Sequence, residues 1–286
     1  MKRYSKQWST ATPGYLIFLI DQSKSMGETW ENGKSYAEFT AEVINKTINE
    51  LIATNAAGST VKNRVFISLI GYGGHNQIEN LRSDYISRYA DTPIRVEERS
   101  EHVSDGEGGL IELEIEVPIF VEPKAVGLTP MAGAFDLCYR LINGWISKKN
   151  DNPVPVVINI SDGFPEAGSP ESNLVEAQRT IELANEIMRL ETLDGNPLIF
   201  NVHISRDNVN EISFPQYKFE LNADSMAEFL YEISSEVPDS YKRAAKDLNL
   251  KEIGSNAKGF ISNASPETLI KFINFGSSGG SDSSTI

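Results

Sequence analysis

Cysteine is almost missing from this chain: Cys138 stands alone among 286 residues. One thiol cannot close an internal disulfide, which excludes the small disulfide-stapled secreted scaffolds and fits a reducing compartment. Cys138 falls in the same apolar pattern as Ala134, Leu137 and Leu141, where a free cysteine packs as a small hydrophobe. Basic residues are scarce too. Lys and Arg total 26 against 40 Asp and Glu, a net charge of −14, and no four of them run together. A surface that tracks phosphates needs clustered Lys and Arg, so nucleic acid is not an expected partner. The histidines, His75, His102 and His203, stand far apart and share no zinc-like spacing. Long hydrophobic runs are missing as well. The apolar run from Tyr15 to Ile20 is too short for a signal-peptide core and ends at Asp21 rather than at a small-residue cleavage site. Nothing approaches the roughly 18 apolar residues of a membrane-spanning helix. The expectation is a soluble, cytoplasmic protein with no membrane partner.

What is present is an alternation of strands and helices. With 40% hydrophobic and 23% charged residues the chain can fill a globular core. Tyr15 to Ile20 is uniformly apolar, and Val65 to Ile70 is apolar except for Ser68; strands covered on both faces read this way. Between them Phe39, Val43, Ile44, Ile48, Leu51 and Ile52 recur at helical spacing. After a helix from Pro130 to Ile146, strands are expected at Val154 to Ile160 and Leu198 to Ile204, with a helix from Glu171 to Leu190 between them. A short edge strand is expected at Tyr217 to Leu221, and Asp224 is placed to cap a helix. This rhythm predicts an α/β fold: a doubly wound, mostly parallel sheet flanked by helices. One stretch breaks it. Ile111 to Val117 alternates strictly, with Glu112, Glu114 and Glu116 on one face, and Pro93 to Glu98 is its expected partner in a β-hairpin inserted on the sheet edge. The three glutamates read as a solvated strand face, with a docking surface for a basic partner as the sharper alternative.

Ligands of such sheets bind beyond the carboxyl ends of the strands. There the first strand runs into Asp21-Gln22-Ser23-Lys24-Ser25, and a later strand into Ser161-Asp162-Gly163. Between them Gly127-Leu128-Thr129-Pro130 leads into a helix. These segments together resemble the metal-ion-dependent adhesion site (MIDAS) of von Willebrand factor A (VWA) domains, in which D-x-S-x-S follows the first strand, a threonine lies in a G-x-T-P-like loop, and an aspartate follows the fourth strand. Asp21, Ser23, Ser25, Thr129 and Asp162 occupy the matching positions, in order. Leu128 stands where a second glycine is common. The resemblance covers residues 14–240, with an insertion at about 92–122; residues 1–13 read as an N-terminal extension, 241–275 as a C-terminal helical extension and 276–286 as a flexible tail.

The resemblance implies a Mg²⁺ or Mn²⁺ ion held by these five residues, and the donor set agrees, because all five offer hard oxygen and none offers nitrogen or sulfur. In the family the two serines coordinate directly, the first aspartate acts through water, and the threonine and second aspartate exchange direct coordination. A protein partner then supplies an Asp or Glu to the metal. The lack of a leader resembles stand-alone bacterial cytoplasmic VWA proteins associated with tellurium-resistance clusters. That implies a metal-dependent adaptor in stress or defence signalling, with a kinase, a phosphatase or an AAA+ ATPase as partner. Catalysis is not expected. An aspartyl-phosphatase reading would make Asp21 a nucleophile, but the second acid such enzymes need two residues on is Ser23 here. A metal-assisted hydrolase needs a general base near the ion, and none is evident. The alternative readings are a Mg²⁺-dependent hydrolase or phosphatase-like enzyme, an accessory module of an AAA+ ATPase, and a surface adhesin fragment.

Overall fold

The run Gly14–Asp21 forms β1, buried along its whole length, because it lies in the middle of a sheet with helices on both sides. In the computed structural model, which describes residues 4–30, 33–74, 77–104, 110–205, 211–247, 252–263 and 266–277, β1 pairs in parallel with β4 (Val65–Gly73) on one side and β8 (Val156–Ser161) on the other. Beyond β8 lies β9 (Leu198–His203), again parallel. The seven-stranded order is β10-β11-β9-β8-β1-β4-β5. The outer strands are β10 (Ile212–Ser213), β11 (Phe260–Ser262) and β5 (Gln77–Tyr85). Two residues each, Ala56–Ala57 (β2) and Thr60–Val61 (β3), make a separate small ribbon. The expected doubly wound, mostly parallel α/β sheet is the fold observed.

Alternate β1 side chains feed two cores. Leu16, Phe18 and Ile20 pack with α1 (Tyr36–Asn55), α2 (Ile86–Asp91), α6 (Asp239–Asp247) and α7 (Pro266–Ser277). Tyr15, Ile17 and Leu19 pack with α3 (Met131–Lys148), α4 (Pro170–Arg189) and α5 (Ser225–Glu232). Helix starts follow local chemistry. Ser35 and Glu38 form a reciprocal capping box on α1. Asp224 accepts from Met226 N and Ala227 N to begin α5, as expected from the sequence. Pro130 sits just before α3 as its cap residue rather than inside the first turn, and Glu176 of α4 accepts from Ala132 N, 2.9 Å away.

Three expectations need correction. Tyr217 to Leu221 is not an edge strand: Lys218–Leu221 is a 3-10 turn, because the Glu220 carboxylate accepts from both Gln216 N and Tyr217 N and curls the chain back. The edge on that side is β10, antiparallel to β11. The C-terminal extension holds helices, α6 and α7, where helices are expected at about 239–248 and 266–273, but between them lies β11, which pairs with β9 inside the sheet; three residues are too short a run to show periodicity. The hairpin pairs β6 (Arg95–Ser104) with β7 (Leu110–Ile119), extending beyond the expected register, but as its own two-stranded sheet. The main-sheet edge is taken instead by β5, whose polar sequence QIENLRSDY gave no strand signal. Asn45 of α1 holds the hairpin's base, accepting from Phe120 N and Val121 N and donating to Val121 O. The glycine-rich connection at 105–109 lies outside the described residues, as does His75. Among the described residues no helix is long and apolar enough to cross a membrane.

Candidate functional site

β1 and β8 end side by side, which sets the Asp21 and Asp162 loops next to each other. Asp21 is the last residue of β1 and only 1% exposed. One carboxylate oxygen, Oδ1, accepts from Ser23 N at 2.8 Å, turning the chain away from the strand. The other, Oδ2, accepts from Ser161 Oγ at 2.6 Å. Ser23 and Ser25 bring their hydroxyls to 3.1 Å, and the Ser25 hydroxyl also bonds the Asp162 carboxylate.

Backbone hydrogen bonds stitch the third loop to these two. Val126 N donates to Gln22 O (2.7 Å) and Lys24 N to Gly127 O (2.9 Å). Thr129 exchanges backbone hydrogen bonds with Glu166, each 3.1 Å, in the loop that follows Asp162. Thr129 is 4% exposed and Asp162 half-buried. Two glycines make the close approach possible. A Cβ on Gly73 would come within 2.5 Å of the Gln22 backbone. Gly127 has φ +75, and a Cβ there would land on the Gly74 backbone. The structure therefore gathers the loops bearing all five expected residues, with Asp21, Ser23, Ser25 and Asp162 joined through Ser161 and the serine hydroxyls.

The electrostatics of the cluster are unbalanced. Burial first, and then the charge of Asp162, push the Asp21 carboxyl up to about 7, against the lowering effect of the Ser161 and Ser23 hydrogen bonds. Asp162 is also raised, by burial and then by Glu28, while Ser25 opposes the shift. No cation enters the surroundings of either group among the described residues. The donors are two carboxylates and three hydroxyls, a hard-oxygen set that suits Mg²⁺ or Mn²⁺. Among the described residues no three His, Cys, Asp or Glu side chains gather as a metal group, at this site or elsewhere.

Sequence reasoning missed several participants. Ser161 was visible beside Asp162-Gly163, yet nothing in the sequence tied its hydroxyl to Asp21. Tyr72, the register partner of Asp21, donates across β1 to Asn159, and Met226 of α5 packs against Gly163; both come from distant segments and carried no signal. The other residues singled out are structural in setting. Cys138 is fully buried and its thiol pushed up by burial. His203 is 2% exposed with Nδ1 2.9 Å from Ser262 Oγ. Glu112, Glu114 and Glu116 are exposed on the hairpin.

No protein-family model and no curated protein sequence matches the chain. Solved structures do. The pilus adhesin SpaC from Lactobacillus rhamnosus GG superposes with a TM-score of 0.51 at 11% identity, over 96% of this chain and 31% of that one. The shared fold is a doubly wound, mostly parallel α/β sheet. The vWF domain of the type V pili tip protein Mfa5 from Porphyromonas gingivalis matches over 93% of this chain and 94% of its own, at 13% identity and a TM-score of 0.43. The PilB minor pilin from Streptococcus sanguinis matches at 11% identity and 0.44, over 95% of this chain and 61% of PilB. This chain thus spans about a third of SpaC and 20% of a three-domain piece of Mfa5. At such identities the SpaC likeness speaks for the fold alone.

Proposed function

We propose that this protein is a binding module, not an enzyme, that holds Mg²⁺ or Mn²⁺ with Asp21, Ser23, Ser25, Thr129 and Asp162 and uses it to grip a carboxylate of a partner protein. The observation that carries this reading is the buried Asp21 carboxylate, with Asp162 beside it and no cation to offset either. Removing such a pair from water is costly unless opposite charge joins it. A divalent ion held there supplies a Lewis-acidic position that a partner's Asp or Glu can fill.

The side chains divide the work. Ser23 and Ser25 turn their hydroxyls toward each other and, through Ser25, toward Asp162. Asp21 anchors the turn that presents the serines, since one oxygen is occupied by Ser23 N and the other by Ser161 Oγ. Thr129 rides on a loop clasped from both sides, by Lys24 N at Gly127 and by Glu166.

The setting proposed is a cytoplasmic complex in bacterial stress or defence signalling, with a kinase, a phosphatase or an AAA+ ATPase as the acidic partner. The single cysteine, buried at Cys138, supports the compartment. The solved structures named above are of pilus proteins, so cell fractionation is the direct check: recovery with the surface fraction overturns the cytoplasmic assignment. For the metal, titration calorimetry with Mn²⁺ tests the reading. Saturable binding at one site, abolished by Asp162→Ala, supports it; equal binding by the variant sinks it. Mg²⁺-dependent hydrolysis of phosphoesters that disappears with Asp21→Ala would instead establish an enzyme.

A further inference from the structure

Beneath the site a line of buried polar side chains crosses the sheet. The Tyr72 hydroxyl, reaching over β1 from β4, donates to Asn159 Oδ1 of β8 at 2.8 Å. Asn159 Nδ2 donates to Asn201 Oδ1 of β9 at 2.9 Å, where the two asparagines are register partners. Asn201 Nδ2 donates to Ser234 Oγ at 2.9 Å, and Ser234 Oγ donates to Leu230 O of α5 at 2.8 Å. At the other end Tyr72 is the register partner of Asp21, whose Oδ2 accepts from Ser161 Oγ. Tyr72, Asn159, Ser161, Asn201 and Ser234 are all 0% exposed. An apolar core would have been simpler to build, because each buried polar group must be matched or it costs stability.

The line has a direction, and its far end sets it. Leu230 O can only accept, so Ser234 must spend its single proton there and offer its oxygen to Asn201. Asn201 must then present its amide nitrogen to Ser234 and its oxygen to Asn159, and Asn159 repeats the choice toward Tyr72. Tyr72 gives its one proton to Asn159, so its oxygen keeps only lone pairs on the side of Asp21. Ser161 stands outside the line and gives its own proton to Asp21. The dipoles of Ser234, Asn201, Asn159 and Tyr72 therefore all point their negative ends toward the Asp21 end. Such fixed dipoles act strongly where water is excluded.

We propose that Tyr72, Asn159, Asn201 and Ser234 are positioning residues for the cation site: an oriented dipole relay that strengthens cation binding at Asp21 and ties the site to α5. This rests on the metal reading above. Residues that orient metal ligands from behind are worth about 10–100-fold in metal affinity when removed.

The test uses the full chain and Mn²⁺ alone, followed by titration calorimetry and, in parallel, by thermal unfolding without metal. Asn159→Leu/Asn201→Leu removes both amides for side chains that branch at the same carbon, and leaves the Tyr72 hydroxyl without its acceptor, so some loss of stability is expected. The relay requires this variant to keep its fold and lose about tenfold in Mn²⁺ affinity. Ser234→Ala, at the far end, should shift affinity in the same direction by a smaller factor. Thr47→Val is the control, since Thr47 is an equally buried hydroxyl on α1 that donates only to Val43 O, and its affinity should not move. Unchanged affinity in the folded double variant overturns the relay, as does an equal loss in the Thr47 control. If the double variant does not fold, Tyr72→Phe removes one oxygen and carries the same requirement. No Mn²⁺ binding by the unsubstituted chain overturns the metal reading itself, and the relay with it.

Discussion

Ser161 donates its hydroxyl proton to Asp21 across 2.6 Å, from the end of one central strand to the end of its neighbour. That bond fixes the carboxylate from which the serine turn is built, and it holds two chain segments together that are 140 residues apart. Ser161→Ala leaves Asp21 Oδ2 buried without its donor. Loss of a hydrogen bond to a buried charged group costs about 1–3 kcal/mol, so urea unfolding of the variant should shift by that amount. Mn²⁺ affinity should fall in the same variant. Unaltered stability and affinity together would mean that the bond is idle.

Proton and cation compete at Asp21. Its carboxyl is about 3.8 in an unfolded chain and pushed up to about 7 in the fold. A raised value means that folding favours the protonated form, so its contribution to stability is full below the unfolded value and lost as pH rises through 7. The metal-free protein should therefore weaken between pH 4 and 7 in a way that Asp21→Asn removes. A cation restores what the charge costs, so chelation with EDTA should lower the Tm more above pH 7 than at pH 5. An equal effect at both values would contradict this assignment of the charge.

Gly127 holds the threonine loop against the rest of the site. Its φ of +75 and the Gly74 backbone facing it leave no room for a side chain. Gly127→Ala combines backbone strain of about 1–3 kcal/mol with displacement of the loop that carries Thr129. Stability and Mn²⁺ affinity should both drop, and a variant with wild-type affinity would show that the placement of Thr129 does not matter.

Cys138 offers a check on the core alone. Its thiol is fully buried and pushed up by burial, and the reactive form is the thiolate. Alkylation by iodoacetamide, followed by mass spectrometry, should be negligible in the native protein and complete in denaturant. Rapid native labelling would mean that α3 opens far more readily than its packing indicates. By contrast Leu16→Ala, on the opposite face of β1, should cost about 2–5 kcal/mol through the cavity it leaves without changing Mn²⁺ affinity.

The central strands were legible because each carries a largely apolar run, unbroken in Tyr15 to Ile20 and interrupted only by Asn159 in Val156 to Ile160, and such runs have few other uses in a chain of this composition. The helices were legible through their period, and one of them through its cap, Asp224. The edges were not. β5 is polar along most of its length, β11 is three residues long, and the 3-10 turn at Lys218–Leu221 depends on a side chain, Glu220, folding back on its own backbone. The five candidate oxygens could be read because they sit in short local patterns. Ser161, Tyr72, Asn159 and Asn201 could not be read as their companions, since what joins them is strand order and register across the sheet. Composition and periodicity do not encode that information.

The most direct test of the cation site is an anomalous difference map from crystals of the full chain grown with Mn²⁺. The account requires one strong peak among Ser23 Oγ, Ser25 Oγ and the loops of Thr129 and Asp162, lost on Asp162→Ala. A map with no peak there, or with manganese bound only elsewhere on the surface, contradicts it.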